Sequence, residues 1–219
     1  MLLSYLASGL LIVLAYLLGS LPTGYWLGRY LQGIDIREVG SGSTGATNVL
    51  RTLGKKAGIT VLLVDLLKGA IAVALVKLWY QFAPIAILPG TWLDWLVVLA
   101  GLAAVIGHSK SIFLNFTGGK SVATSLGVLL AMAPTVGLGT LGSFLLVLAL
   151  FRIVSLSSIC GAIAVNLLMI LLHQPLPYCL FAAIAGIYVI IRHRSNISRL
   201  LTGTEPKIGQ KLTPETESP

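Results

Sequence analysis

Charge is scarce in this sequence. Of its 219 residues only 10% are Asp, Glu, Lys or Arg, and 7 of those are acidic. A chain that is 56% hydrophobic, with a mean hydropathy of +0.94, does not suit a water-soluble globule. Cysteine is rare too. Cys160 and Cys179 both fall in apolar segments and read as small packing residues, so a disulfide framework or thiolate metal site has no support. Lys and Arg are missing before Arg29. Without a basic n-region or a clear small-residue cleavage site, the start reads as a first spanning helix, not a cleaved signal. The apolar runs lack the period-2 alternation of a β-barrel. No basic helix or aromatic platform stands outside them, which argues against nucleic acid as a partner.

What is present is a series of apolar blocks, at about 4–27, 57–80, 93–107, 121–151, 156–173 and 176–191. The fourth is too long for one crossing. Its 31 residues would make a helix of roughly 46 Å against a hydrocarbon core of about 30 Å. Pro134 in its middle can end one helix and begin another. Charge decides the count. With the fourth block divided at Pro134, the loops at 29–56, 108–120, 152–155 and 192–219 share one side and hold 13 of the 15 Lys and Arg. The opposite connections, near 81–92, 134 and 173–177, hold none. The positive-inside rule then predicts an all-α polytopic membrane protein with seven transmembrane helices, N-terminus outside and C-terminus cytoplasmic. The two halves of the divided block are expected to be short for the bilayer. Residues 1–203 form one membrane domain, and 204–219 read as a polar, disordered tail. Within the second span, Asp65 and Lys68 can pair at i,i+3. Such a pair is either functional or simply self-neutralising. Lys77, near the outer end, is expected to snorkel.

The polar chemistry gathers on the basic side. Residues 40–58 read GSGSTGATNVLRTLGKKAG. Glycines at 40, 42 and 45 let backbone N–H groups converge as an anion nest. Ala46–Leu53 is predicted as a short helix ending at Gly54, its N-terminus adding a favourable dipole end. Thr47, Asn48 and Arg51 lie on it, and Arg51 suits bidentate phosphate binding. A Ser/Gly-rich turn with a topological arginine is the plainer alternative. The second loop carries Gly118-Gly119-Lys120-Ser121 at the start of a helix, again an anion arrangement. It is not a P-loop, because Leu114 stands where that pattern needs glycine and no strand precedes it. His108 reads as an interfacial structural histidine or as a general base. No carboxylate follows it at the H-x-x-x-x-D spacing, since position 113 is Phe113. Ser155, Ser157 and Ser158 precede an apolar run and read as helix N-caps. In RHRSNISRLLTG, His193 and Asn196 share a helical face. No Ser–His–Asp triad, metal cluster or carboxylate pair is visible. A transporter of a phosphorylated solute would predict internal repeats and polar groups near the midplane, and the sequence offers neither.

GSGSTGATNVLRTLG, GH followed by FTGGKSVAT, and SLSSI occur in that order, with VDLLKG and RHRSNISRLLTG beside them. In these motifs the chain resembles the bacterial membrane acyl-phosphate:glycerol-3-phosphate acyltransferases, the PlsY family, through about residue 205. The resemblance implies transfer of a fatty acyl group from acyl phosphate to the 1-hydroxyl of sn-glycerol 3-phosphate, giving 1-acylglycerol 3-phosphate and phosphate. It implies a seven-helix fold in the bacterial plasma membrane with a cytoplasmic active site and no metal or cofactor. By position, Ser41, Arg51, Lys120, Ser158, His193 and Asn196 would hold glycerol 3-phosphate, with His193 the reserve catalytic candidate. Thr47, with Gly42, Ser43, Gly45 and Asn48 around it, would hold the acyl-donor phosphate. The soluble enzyme that makes acyl phosphate is the implied partner.

Overall fold

A computed structural model describes residues 2–82 and 89–210. Residues 83–88, half of the 81–92 connection, and the stretch 211–219 therefore lie outside the described residues. Among those described, the fold is all helix: α1 (Leu2–Ser20), α2 (Thr23–Gln32), α3 (Ala46–Leu53), α4 (Lys55–Phe82), α5 (Leu93–Ser109), α6 (Val122–Met132), α7 (Pro134–Phe151), α8 (Val154–Leu171), α9 (Leu176–Arg192) and α10 (Arg194–Leu201). Five stretches are long and apolar enough to cross a membrane, or six if α9 and α10, bent by 60°, count as one. Exposed leucines and isoleucines ring the bundle, as lipid-facing positions require.

The first apolar block is not one uninterrupted helix. Pro22 lacks an N–H and separates α1 from α2. At this break the Leu21 carbonyl accepts from the Thr23 N–H and from Lys68 Nζ of α4, both at 3.1 Å. Close helix crossing relies on small residues. A Cβ on Gly69 of α4 would overlap the Thr124 carbonyl of α6, and one on Gly127 would overlap the Leu66 carbonyl, so these backbones touch.

The expected break at Pro134 is present, with Pro134 opening α7. Its halves are unequal, which corrects the expectation of two short ones. α6 has 11 residues, about 16 Å. α7 has 18 and meets the length of a span. Lys77 explains how α6 can end within the bundle. Its Nζ donates to the Ala131 carbonyl at 2.6 Å and reaches the Met132 carbonyl at 3.4 Å. The ammonium thus caps a helix C-terminus, where snorkelling had been expected.

The stretch 204–210 is not the disordered tail its composition suggested. Glu205 is buried, and Ile208 and Arg152 exchange bonds through the Ile208 N–H to the Arg152 carbonyl and the Arg152 guanidinium to the Ile208 carbonyl.

Candidate functional site

All four basic loops converge at one end of the bundle. Arg51 Nη2 donates to the Pro206 carbonyl. Arg37 Nη1 joins the first loop to the second by donating to Thr117 Oγ1. Arg192 Nη2 donates to the carbonyls of Gly118 and Gly119. Lys120 donates to Asn196 Oδ1 of α10. Arg51 and Lys120 therefore lie at the same end of the bundle, in one cluster with Arg192, Arg199 and Glu205.

The first loop is built around Asn48, which is buried. Its Oδ1 accepts from the Ser41 N–H at 2.9 Å. Its Nδ2 faces the carbonyls of Ile36, Val39 and Ser43 at 3.1, 2.9 and 2.9 Å. Gly40 holds a left-handed φ of 64°, and a Cβ there would collide with Oδ1. Asn48 is thus the clip that shapes the loop, not an acyl-phosphate ligand, because its amide is already consumed. The expected nest is corrected likewise. The Gly42 N–H donates to the Val39 carbonyl and the Gly45 N–H to Ser43 Oγ, so neither is available to a ligand. What remains for an anion is the first turn of α3, where the Ala46 and Thr47 amides have no i−4 carbonyl within their helix. Thr47 is half-buried, and Ser41 is exposed. Asp35 braces this loop. Hydrogen bonds from Arg37 outweigh its burial and hold the carboxyl down at about 2.

The second cluster centres on Glu205. Its Oε1 accepts from Ser155 Oγ at 2.7 Å and Asn196 Nδ2 at 2.6 Å, and Oε2 accepts from Arg199 Nε at 2.7 Å. Burial alone would raise its pKa, but these bonds outweigh it and lower it. The Asn196 amide is thus a bridge, Lys120 on its oxygen and Glu205 on its nitrogen. Burial lowers the Lys120 ammonium to about 8, with neighbouring Arg199, Arg192 and Arg51 adding repulsion and Glu205 opposing it. Half-buried Arg51 is lowered by desolvation, against the pull of Glu205.

His193 is buried, and its Nδ1 lies 2.7 Å from the Val189 carbonyl. A carbonyl only accepts, so Nδ1 carries the proton and Nε2 keeps its lone pair. Burial lowers the ring to about 4, so it is neutral at physiological pH. Ser158 sits inside α8 with its hydroxyl on the Val154 carbonyl, and Ser157 bonds the Ile153 carbonyl. The helix starts at Val154 after Ile153, so these serines are not its N-caps. Ser158 and Val189 begin an apolar groove between α6, α7, α8 and α9 that runs past Gly161, Leu129 and Phe181. His108 is also buried and faces Asp65, not the anion cluster, which sets aside the general-base reading.

Residues 9–203 match the glycerol-3-phosphate acyltransferase family. The chain belongs to that family. A glycerol-3-phosphate acyltransferase of Rippkaea orientalis is 68% identical over 211 residues, covering 96% of this chain and 97% of the relative. One of Acaryochloris marina is 58% identical, covering 97% of each. Among solved structures, PlsY (YgiH), an integral membrane glycerol 3-phosphate acyltransferase, superposes in its glycerol 3-phosphate form with a TM-score of 0.83 at 40% identity, over 93% of this chain and 96% of that one. Its lysophosphatidic acid form gives 0.80 at 39% identity. This acyltransferase is therefore an integral membrane enzyme with several spans.

Sequence reading missed Glu205 and the Asp35–Arg37 brace, and it read Ser155 as a helix N-cap where the hydroxyl in fact donates to Glu205. One signal for Glu205 was available: it is the single acidic residue from Arg192 to Gln210, placed among cations.

Proposed function

We propose that this acyltransferase moves a fatty acyl group from acyl phosphate to the 1-hydroxyl of sn-glycerol 3-phosphate, giving 1-acylglycerol 3-phosphate and phosphate. One juxtaposition carries the reading. Ser158 lines the mouth of the apolar groove, and one turn before it on the same helix Ser155 joins the anion cluster. A polar phosphate end and an acyl tail would meet there. The groove descends from Ser158 through Gly161 and Val165 on α8, roughly 10 Å along that helix, with Leu126 and Leu129 of α6 and Leu141 and Phe144 of α7 forming its far wall.

Arg51, Lys120, Ser41, Ser158, His193 and Asn196 would hold glycerol 3-phosphate. Thr47, Gly42, Ser43 and Gly45 would frame the acyl-donor phosphate, with the first-turn amides of α3 as the donors. An acyl phosphate is a mixed anhydride whose leaving group is already good. The protein has to hold two anions together and stabilise the charge on the departing one, which cations and fixed dipoles do. The glycerol oxygen attacks the acyl carbon, the bond to the phosphate oxygen breaks, and the hydroxyl proton passes to the leaving phosphate. Neutral His193 would orient the hydroxyl through Nε2.

Seven spans, α1, α4, α5, α6, α7, α8 and α9, with the N-terminus outside and the anion cluster at the cytoplasmic face of a bacterial plasma membrane, complete the proposal. The one-sided basic loops support it. A soluble phosphate acyltransferase would then deliver acyl phosphate at that surface.

Purified protein in detergent, given glycerol 3-phosphate with acyl phosphate, acyl-CoA or acyl carrier protein donors, tests the reading by product formation. Turnover with acyl phosphate alone is expected, and turnover with acyl-CoA alone would overturn the donor assignment. Full loss of turnover in His193→Ala with glycerol 3-phosphate binding intact would make His193 the base.

A further inference from the structure

The buried trio Asp65, Lys68 and His108 takes no direct part in this mechanism, yet it lies between the two anion loops. Asp65 and Lys68 pair at 2.9 Å, and both side chains are only 3% exposed. His108 Nδ1 faces the same Asp65 oxygen at 3.6 Å. The opposite edge of the imidazole lies against Gly119, where an added Cβ would overlap Nε2. The Gly119 N–H donates to the His108 carbonyl at 3.2 Å. Two residues on, Ser121 is left-handed at φ 61°, and its hydroxyl donates to the Val105 carbonyl of the same helix α5 at 2.8 Å. The backbone on both sides of Lys120 is therefore seated on the end of α5. The trio also reaches the first loop. Thr44 lines one small enclosed space with Asp65, Lys68 and His108.

We infer that Asp65, Lys68 and His108 are positioning residues that seat the Gly118–Lys120 turn, so that the Lys120 ammonium meets Asn196 and the phosphate of glycerol 3-phosphate. A buried ion pair is a poor device for stability alone, since well-packed apolar residues often serve as well. Its gain here is a fixed register for the imidazole, and through it for a glycine turn that has no side chains of its own to lock it.

The inference rests on the assignment of Lys120 to glycerol 3-phosphate, so direct binding of glycerol 3-phosphate to the purified full chain is the readout, and no acyl donor is needed. Lys120→Met tests that assignment by itself: unchanged affinity refutes the assignment. Given that affinity falls there, His108→Gln and the paired Asp65→Leu/Lys68→Met are the tests of the trio. Each is expected to weaken glycerol 3-phosphate about tenfold, the scale of one misplaced charged contact. The paired variant, which leaves no lone buried charge, is expected to keep a melting temperature near wild type. Adding His108→Gln to Lys120→Met is expected to change affinity little further. Wild-type affinity in both trio variants, or a full additive loss in the combined one, overturns the positioning role. If either trio variant fails to fold, Gly119→Ala probes the same contact from the turn side and is expected to weaken binding similarly. Unchanged binding there also overturns it.

Discussion

Lys120 and Asn196, 76 residues apart in the chain, share a hydrogen bond from the ammonium to the amide oxygen. The bond sets the ammonium beside Glu205 and Arg199, in an environment where burial outweighs attraction and lowers its pKa to about 8.

That value gives a pH dependence. Because the pKa is depressed, Lys120 is cationic below about 8 and loses its charge above it. A phosphate ligand needs the charge, so kcat/KM for glycerol 3-phosphate is expected to fall as pH rises through about 8 to 9. Lys120→Arg should flatten this limb, because a guanidinium stays protonated there. A pH profile of both proteins checks it.

Glu205→Gln removes a charge that three donors share. Hydrogen bonds to charged groups contribute about 1.5–3 kcal/mol each, so the loss should be felt in both stability and activity. The stretch 204–210 should come free, and cleavage after Lys207 by trypsin should quicken. The lowered pKa of Glu205 also means that its contribution holds above the ordinary carboxylate range. It is lost as pH falls through the still lower folded value.

Asn48→Asp is a sharper test of the first loop than Asn48→Ala. It keeps the shape but turns a donor toward three carbonyls into an acceptor. Buried mismatches of this kind cost about 1–3 kcal/mol per group. Thermal unfolding in detergent should show a lower midpoint for Asp than for Ala, and glycerol 3-phosphate affinity should fall in both.

Lys77→Met leaves the Ala131 and Met132 carbonyls without their cap. The expected loss is about 1–3 kcal/mol, read as a lower melting temperature. The affinity for glycerol 3-phosphate should hardly change, because the cap lies at the far end of α6 from Lys120.

The elements that sequence reading placed well are those governed by local rules. Ala46–Leu53 was bounded by glycines and is the observed α3. Pro134 divided an overlong apolar run, and a proline divides it in the structure. Asp65 and Lys68, one turn apart, do pair. Asn48 shows where such rules end. As a polar residue one turn before Arg51 it looked like a ligand, but three carbonyls from Ile36, Val39 and Ser43 claim its amide, and only the folded loop brings them there.

The sequence by itself determined which segments are apolar enough to span a membrane and which loops carry the basic charge, because apolar runs and the bias of Lys and Arg are properties of short segments. It also determined which loops could carry anion chemistry. The tertiary structure decided which polar groups are spent on the scaffold and which are left for substrate. Glu205 turns inward, Lys77 caps a helix, and His108 presses on Gly119, each through partners distant in sequence. A hydrogen-bonding group satisfied by one partner is no longer free for another, and that choice is made only when the loops assemble.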